Sequence, residues 1–422
     1  MKEDLLHYVW KYKKINFTKL RTVTGEPIKV KSVGQHNHDS GPDFFNAMIE
    51  IGDQLWAGNV EMHVKSSDWY LHNHELNKNY DNVILHVVWE HDTEIFRDNN
   101  SAIATLELKH YISDSVLRNY KKLITNQVRW INCEGNFSEI EAFIIYNWLD
   151  RLYFERLEYK SKTITSLLQA SKYDWEEVLF KMLTKNFGLK VNSEAFLSLA
   201  NATPFSIVRK VQSNRQMLEA LFFGQAGLLQ QPVENRYYEN LRVDYTFLSQ
   251  KYNLDNSNIE PVQFFRLRPA NFPTIRLSQL SSLYFQNQNL FSQIIERDTL
   301  DSFYQLFKVS TSSFWENHYT FSKESKPSKK SISKSFINSL LINTIIPLKF
   351  CFTRHRGETA SIDDLALISE IKSENNTIID KFNRLRPIAK SALHSQALIQ
   401  LKSEYCDKNK CLHCAIGNTL LN

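Results

Sequence analysis

The sequence of this 422-residue chain predicts an α+β fold: an N-terminal mixed or antiparallel sheet domain followed by a larger all-α domain. Three observations carry that expectation. Before about residue 112 apolar residues alternate with polar ones or run in short blocks, the pattern of strands. From about Ser113 they recur every three to four positions, the pattern of helices. The composition, 42% hydrophobic and 13% aromatic with only 11 Gly and 10 Pro, is that of a chain folded nearly throughout. At this length two domains are expected, 1–112 and 113–422.

Residues 3 to 12 form a short amphipathic helix with Leu5, Leu6, Val9 and Trp10 on one side. LRTV and IKVKSV then alternate around Gly25-Glu26-Pro27, which reads as a hairpin. Phe44 to Ile51, closed by Gly52-Asp53, is the next strand, and Leu55 to Lys65 follows it. Asn82 to Glu90 is almost wholly apolar and is therefore central; Ile103 to Leu108 adds a sixth strand. In the second half the longest periodic stretch is IEAFIIYNWLDRLYFERLEYKSKTITSLL. Further helices are expected at 174–187, 193–200, 214–223, 240–250, 278–308, 334–346, 361–383 and 387–403. Ser322 to Lys334 reads as a mobile surface connection. Phe223-Gly224-Gln225-Ala226-Gly227 lacks the remaining residues of a phosphate-binding loop and reads as a helix end.

Net charge is +5, from 51 Lys and Arg against 46 Asp and Glu, which permits an anionic partner without demanding one. The opening MKEDLLHYVWKYKK places Glu3 and Asp4 before any apolar run, and no stretch approaches the roughly eighteen consecutive apolar residues of a membrane span. A cytoplasmic protein without a membrane partner is expected, its five cysteines serving as thiols or metal ligands.

The chemistry is concentrated between Gly34 and Asp92, which holds seven of the thirteen histidines. Side chains alternate along a strand, so Glu61, His63 and Lys65 share a face. Asp43, at the start of the preceding strand, comes near Glu61 and His63 if the two strands pair through Gly52 and Asp53. Two carboxylates and an imidazole so placed are suitable ligands for Mg²⁺ or Mn²⁺, which would supply a nucleophilic water and stabilise phosphate charge. Asp68, His72 and His74 follow directly and are second-rank candidates, as is His86 within the apolar strand. His36, His38 and His91 read as surface-loop residues. The bland reading of Glu61, His63 and Lys65 is the wet face of a half-exposed sheet.

Pro42-Asp43, a seventeen-residue gap and Glu61-Met62-His63 resemble the PD-(D/E)xK nuclease motif. The order helix, strand, strand, strand and Glu3 on the helix are similar too. The resemblance implies a restriction-endonuclease-like fold in which Asp43 and Glu61 bind metal. The chain departs from the motif at the lysine, where His63 stands and binds metal or acts as a base, with Lys65 two residues on as the charge stabiliser. The chain as a whole resembles an uncharacterised bacterial family of unknown function. GPDFFNA, WAGNVEMHVKSSDW, NVILHVVWEHD, FFGQAGLL, FRLRPANFP and SQALIQLKSEYCDKNKCLHCAIG carry that likeness.

Cys406, Cys411 and Cys414 form C-x4-C-x2-C, and Cys133 is the natural fourth thiolate, with His413 or His394 as substitutes in a zinc site. Such a set suits Zn²⁺ or a [4Fe–4S] cluster; Cys351 between two phenylalanines reads as core. Arg266, Arg268 and Arg276 surround Phe272 in a Pro-bounded basic loop, a pattern that holds phosphates and stacks bases or, more commonly, pairs with acids on neighbouring helices. The expected activity is divalent-metal-dependent hydrolysis of nucleic-acid phosphodiesters. Its rival is a non-catalytic nucleic-acid-binding or scaffold protein with a degenerate nuclease fold; a zinc hydrolase of small phosphate esters is a third reading.

Overall fold

The computed structural model describes residues 2–37, 39–124, 129–358 and 363–421. His38 and residues 361–362, at the start of one expected helix, lie outside them. The chain divides into two compact units, Met1–Trp148 with Leu401–Asn422, and Leu149–Gln400. The Cys406 to Cys414 segment thus folds with the sheet.

The first unit opens with α1, Glu3–Lys11. Strands β1 (Ile28–Ser32), β2 (Gln35–His36), β3 (Phe44–Ile51) and β4 (Gln54–Lys65) precede a crossover, after which come β5 (Val83–Glu90) and β6 (Thr105–Glu107). The sheet runs β1-β3-β4-β5-β6, with β2 also on β3. It is mixed: β1, β2 and β4 pair antiparallel to or through β3, whereas β5 is parallel to β4 and β6 parallel to β5. The crossover between β4 and β5 has the length that parallel pairing requires. The apolar β5 is interior, as its sequence implies.

A short hairpin forms around Gly25: Arg21 and Pro27 bridge antiparallel, the Thr22 N–H donates to Glu26 O and the Ile28 N–H to Leu20 O, each at 2.9 Å. Its second arm runs on into β1, which pairs with β3, while the Val23 N–H beside the turn donates to Thr105 O at 2.9 Å. That last bond joins positions far apart along the chain, where local alternation carries no information.

Leu5, Leu6, Val9 and Trp10 of α1 pack on Phe44, Ile49, Val60, Met62, Leu85 and Val87 in one core. On the other side the crossover closes over the sheet with Trp69 and Tyr80 against Val83, Ile95 and Ile103. Glu61, His63 and His86, which alternate with the core residues of β4 and β5, lie beneath that cover.

In the second unit the stretch expected as one helix at 278–308 is three, Pro273–Gln286, Leu290–Ile295 and Leu300–Leu306. The Thr299 hydroxyl caps the last by accepting the Ser302 N–H at 3.4 Å. Asn376 likewise starts a fresh helix, Thr377–Leu385, inside the expected 361–383 element. The Ser322–Lys334 connection is pinned by buried Lys330, whose ammonium donates to the Trp315 and Glu316 carbonyls. Lys334–His355 is the one span among the described residues long and apolar enough to cross a membrane, and 67% of its apolar window is buried within the protein.

Candidate metal centre

Asp43 stands immediately before β3, where Asn46 takes a left-handed φ of 56° and the pairing with β4 shifts register. Asn tolerates that conformation, and a bulge beside a site re-aims its side chains. Here the Asp43 N–H donates to Glu61 Oε2 at 3.1 Å, and Asp43 Oδ2 accepts the Met62 N–H at 2.9 Å. Two neighbouring strands therefore clasp each other through the two carboxylates.

Glu61 and His63 are 5% and 2% exposed and His86 is fully buried. His63 Nε2 lies 3.6 Å from Glu61 Oε1 and 3.1 Å from His72 Nδ1, and His74 Nε2 lies 3.3 Å from Glu61 Oε1. His74 is held by its ring stack on Tyr80, centroids 3.8 Å apart at 18°. Among the described residues His63, His72 and His74 form the one set whose ligand atoms all lie within 4.8 Å of one another. The edge of a tetrahedron of ligands about 2.0–2.1 Å from a zinc-sized ion is roughly 3.3 Å, close to each separation above.

The protonation states follow from burial. Desolvation pushes Glu61 up to about 9, with the nearby Asp43 carboxylate adding to it. Desolvation, with His74 and His72 alongside, pushes His63 down to about 3; burial also lowers His74 and lowers His86 well below the imidazole range. The His63–His86 contact, Nδ1 to Nε2 at 2.8 Å, is thus between neutral rings. Among the described residues His86 Nδ1 has no partner. A tautomer with the His63 Nδ1–H donating to His86 leaves the His63 Nε2 lone pair for a cation, and His86 fixes that orientation. Three imidazoles and a carboxylate fit Zn²⁺ or Mn²⁺ better than Mg²⁺, whose preferred donors are oxygens.

Sequence reasoning missed His7. It lies four residues after Glu3 on α1, and its Nε2 is 3.2 Å from Asp43 Oδ2. Burial lowers its affinity for a proton, but the Asp43 hydrogen bond and charge outweigh that and the net direction is up. Glu3 faces the same charges: burial, then Asp43, raises it, with His7 and His72 opposing. His36, expected in a loop, lies in β2 with its ring stacked on Phe44 at 4.8 Å. A Glu and a His four apart on an otherwise buried helix were the available signal.

Lys65 is exposed at the end of β4, and its backbone N–H donates to Asp68 Oδ2 at 3.0 Å. Arg266 and Arg268 are exposed in the second unit. Arg276 is not with them at the surface: it is buried in Pro273–Gln286, its guanidinium on Asn271 Oδ1 at 2.6 Å, Gln279 Oε1 at 2.9 Å and the Phe336 ring. Burial lowers it to about 10.

The four cysteines Cys133, Cys406, Cys411 and Cys414 line one pocket in the first unit. Burial raises all four thiols, with Cys414 at about 11, and neighbouring cysteines add to the rise in Cys133, Cys406 and Cys414. His413 is exposed and does not line the pocket; His394 Nδ1 accepts the Lys390 N–H at 3.2 Å in the second unit. Cys351 is buried core in that unit, its thiol on Ser161 O.

Fold and site together define a mixed α+β protein with a buried histidine–carboxylate centre under a parallel crossover. The chain belongs to the family described as Protein of unknown function (DUF2851), whose model matches residues 3–377. A search of curated proteins and a search of solved structures each find no match.

Proposed function

We propose that the chain is a divalent-metal-dependent phosphodiesterase acting on nucleic acid, its N-terminal unit of restriction-endonuclease-like type. One observation carries the reading: His63 lies 3.1 Å from His72 and 3.6 Å from Glu61, His74 lies 3.3 Å from Glu61, and the three histidines' ligand atoms all fall within 4.8 Å of one another, a spacing that suits the ligands of one ion. His63, His72, His74 and Glu61 would hold Zn²⁺ or Mn²⁺. When bound, the ion acidifies a water and draws charge from a phosphoryl oxygen. Asp43 anchors the Glu61 carboxylate through its N–H and leaves Oδ2 facing His7. His7, its proton affinity raised by that contact, would hold a proton beside Asp43. His86 keeps His63 in register, and Trp69 and Tyr80 keep bulk water from the sheet side. The exposed Lys65 would supply positive charge for a phosphate backbone in the first unit, and the exposed Arg266 and Arg268 would do so separately in the second. The motif likeness at Asp43 and Glu61, and the order α1, β1, β3, β4, support the nuclease class.

Incubation of plasmid and single-stranded DNA with the wild type and Mn²⁺ or Zn²⁺ tests it. Cleavage abolished by EDTA, by Glu61→Ala and by His74→Ala is expected. A specific observation favours the rival binder: the motif lysine is replaced by His63, whose ring is committed to His86. Retardation of DNA without cutting in either metal would establish that reading instead.

A further inference from the structure

Among the described residues the cysteine pocket is the second place where metal-ligating side chains converge, and it shares no residue with the phosphodiesterase centre. Cys133, Cys406, Cys411 and Cys414 line one pocket, close enough that Cys414 and Cys411 raise the Cys133 thiol and Cys133, Cys414 and Cys411 raise that of Cys406. Leu123, Ile131, Leu401 and Ile416 complete the pocket wall, giving an apolar shell. Donors point at the sulfurs. The Cys411 Sγ accepts from Asn132 Nδ2 at 3.4 Å, and the nearby Gly417 and Ile416 N–H groups and Trp148 oppose the burial that raises the Cys414 thiol. The loop is wound tightly enough that a Cβ on Gly417 would meet Cys411 O at 2.1 Å. N–H groups aimed at sulfur, with only thiols for ligands, mark a site for soft, thiolate-bound metal.

Spacing separates the two candidates. A zinc ion at about 2.3 Å from each sulfur draws four thiolates to roughly 3.8 Å from one another. Among the described residues no three cysteine sulfurs meet within 4.8 Å; the histidines alone do so. A cuboidal cluster spreads its four thiolates by its own width.

We propose that Cys133, Cys406, Cys411 and Cys414 bind a [4Fe–4S] cluster that staples the C-terminal segment to the 129–139 loop behind α1. Leu412 and Leu421 join Leu5 and Leu6 in the first unit's core, with Cys133 and Cys411 packed against it. The staple therefore fixes the helix that carries Glu3 and His7. All three near cysteines lie beyond the span of the family match.

The test is the full chain, expressed with added iron and purified without oxygen, analysed for iron, zinc and acid-labile sulfide. Roughly four iron and four sulfide per chain, with broad visible absorption bleached by dithionite, are expected. Cys133→Ser and Cys411→Ser should lose at least half of that iron, and Cys351→Ser should keep it. Zinc without sulfide overturns the proposal. So does wild-type protein with normal near-ultraviolet dichroism that takes up no iron on anaerobic reconstitution. Full iron retention in Cys133→Ser overturns the assignment of the fourth ligand. None of these outcomes bears on the histidine centre.

Discussion

Replacing Glu61 with glutamine should stabilise the metal-free protein while weakening the metal-loaded one. Without a cation the Glu61 carboxyl is held near 9, against about 4.5 for an ordinary glutamate, by burial and by Asp43. An acid whose folded value is raised lends stability that is complete below the ordinary value and is lost as pH rises through the folded one. Between pH 7 and 8.5 that loss is about 2 kcal/mol at 1.36 kcal/mol per pH unit. Glutamine keeps an oxygen for the Asp43 N–H and carries no charge, so it loses nothing. His63, lowered to about 3, works in the opposite sense, losing stability as pH falls below the imidazole range, and is silent in this window. The experiment is thermal unfolding of EDTA-treated wild type and Glu61→Gln at pH 7 and 8.5. The advantage of the variant should widen by about 4–8 °C, taking 2–4 °C per kcal/mol for a unit of this size. Zn²⁺ at roughly a thousand times its dissociation constant should stabilise the wild type by about 4 kcal/mol and reverse the order at pH 7. A gap that stays constant across the window, or a variant less stable than wild type at pH 8.5, would refute the reasoning.

Other perturbations have equally direct readouts. His86→Leu, which touches no proposed ligand atom of the ion but frees His63 Nδ1, should weaken Zn²⁺ binding by about 10- to 100-fold in calorimetry; unchanged affinity would remove His86 from the centre. Lys160 is buried with its ammonium on Ile342 O, Asn343 Oδ1 and Gln396 Oε1, each at 3.1 Å, and burial, then Arg156, lowers it to about 7. A lowered lysine leaves the unfolded chain with more protons, so stability should rise with pH above 7 by up to about 1.4 kcal/mol per pH unit. Lys160→Met should flatten that rise in denaturant titrations. Gly58 sits where an added Cβ would meet Asn82 O at 2.6 Å and Ile84 Cγ2 at 2.4 Å. Gly58→Ala should therefore cost about 1–3 kcal/mol, since the carbonyl cannot yield without moving the crossover.

Much of the centre was legible because its parts are local. Asp43, Glu61, His63, His72, His74 and His86 fall on strands and a crossover whose alternation and apolar blocks are plain, and the structure brings all six together. His7 was not legible, since its partner Asp43 is 36 positions away and nothing in the helix period names that partner. The parallel pairing of β4 with β5 escaped the same way. Alternation marks a strand without giving its direction, and only the length of the 66–82 segment hinted at a crossover. The Gly25 hairpin shows both sides: its local bonds, Thr22 N–H to Glu26 O and Ile28 N–H to Leu20 O, were legible, whereas the Val23 N–H bond to Thr105 was not. Arg276 read as part of a basic surface because spacing along a loop does not reveal burial.

The most direct measurement is a crystal of the full chain soaked in Mn²⁺ or Zn²⁺, with anomalous scattering locating the ion. A peak within bonding distance of ring nitrogens of His63, His72 and His74 and of a Glu61 oxygen is the expected result. Metal found elsewhere, with those four side chains keeping their contacts undisturbed, would contradict it.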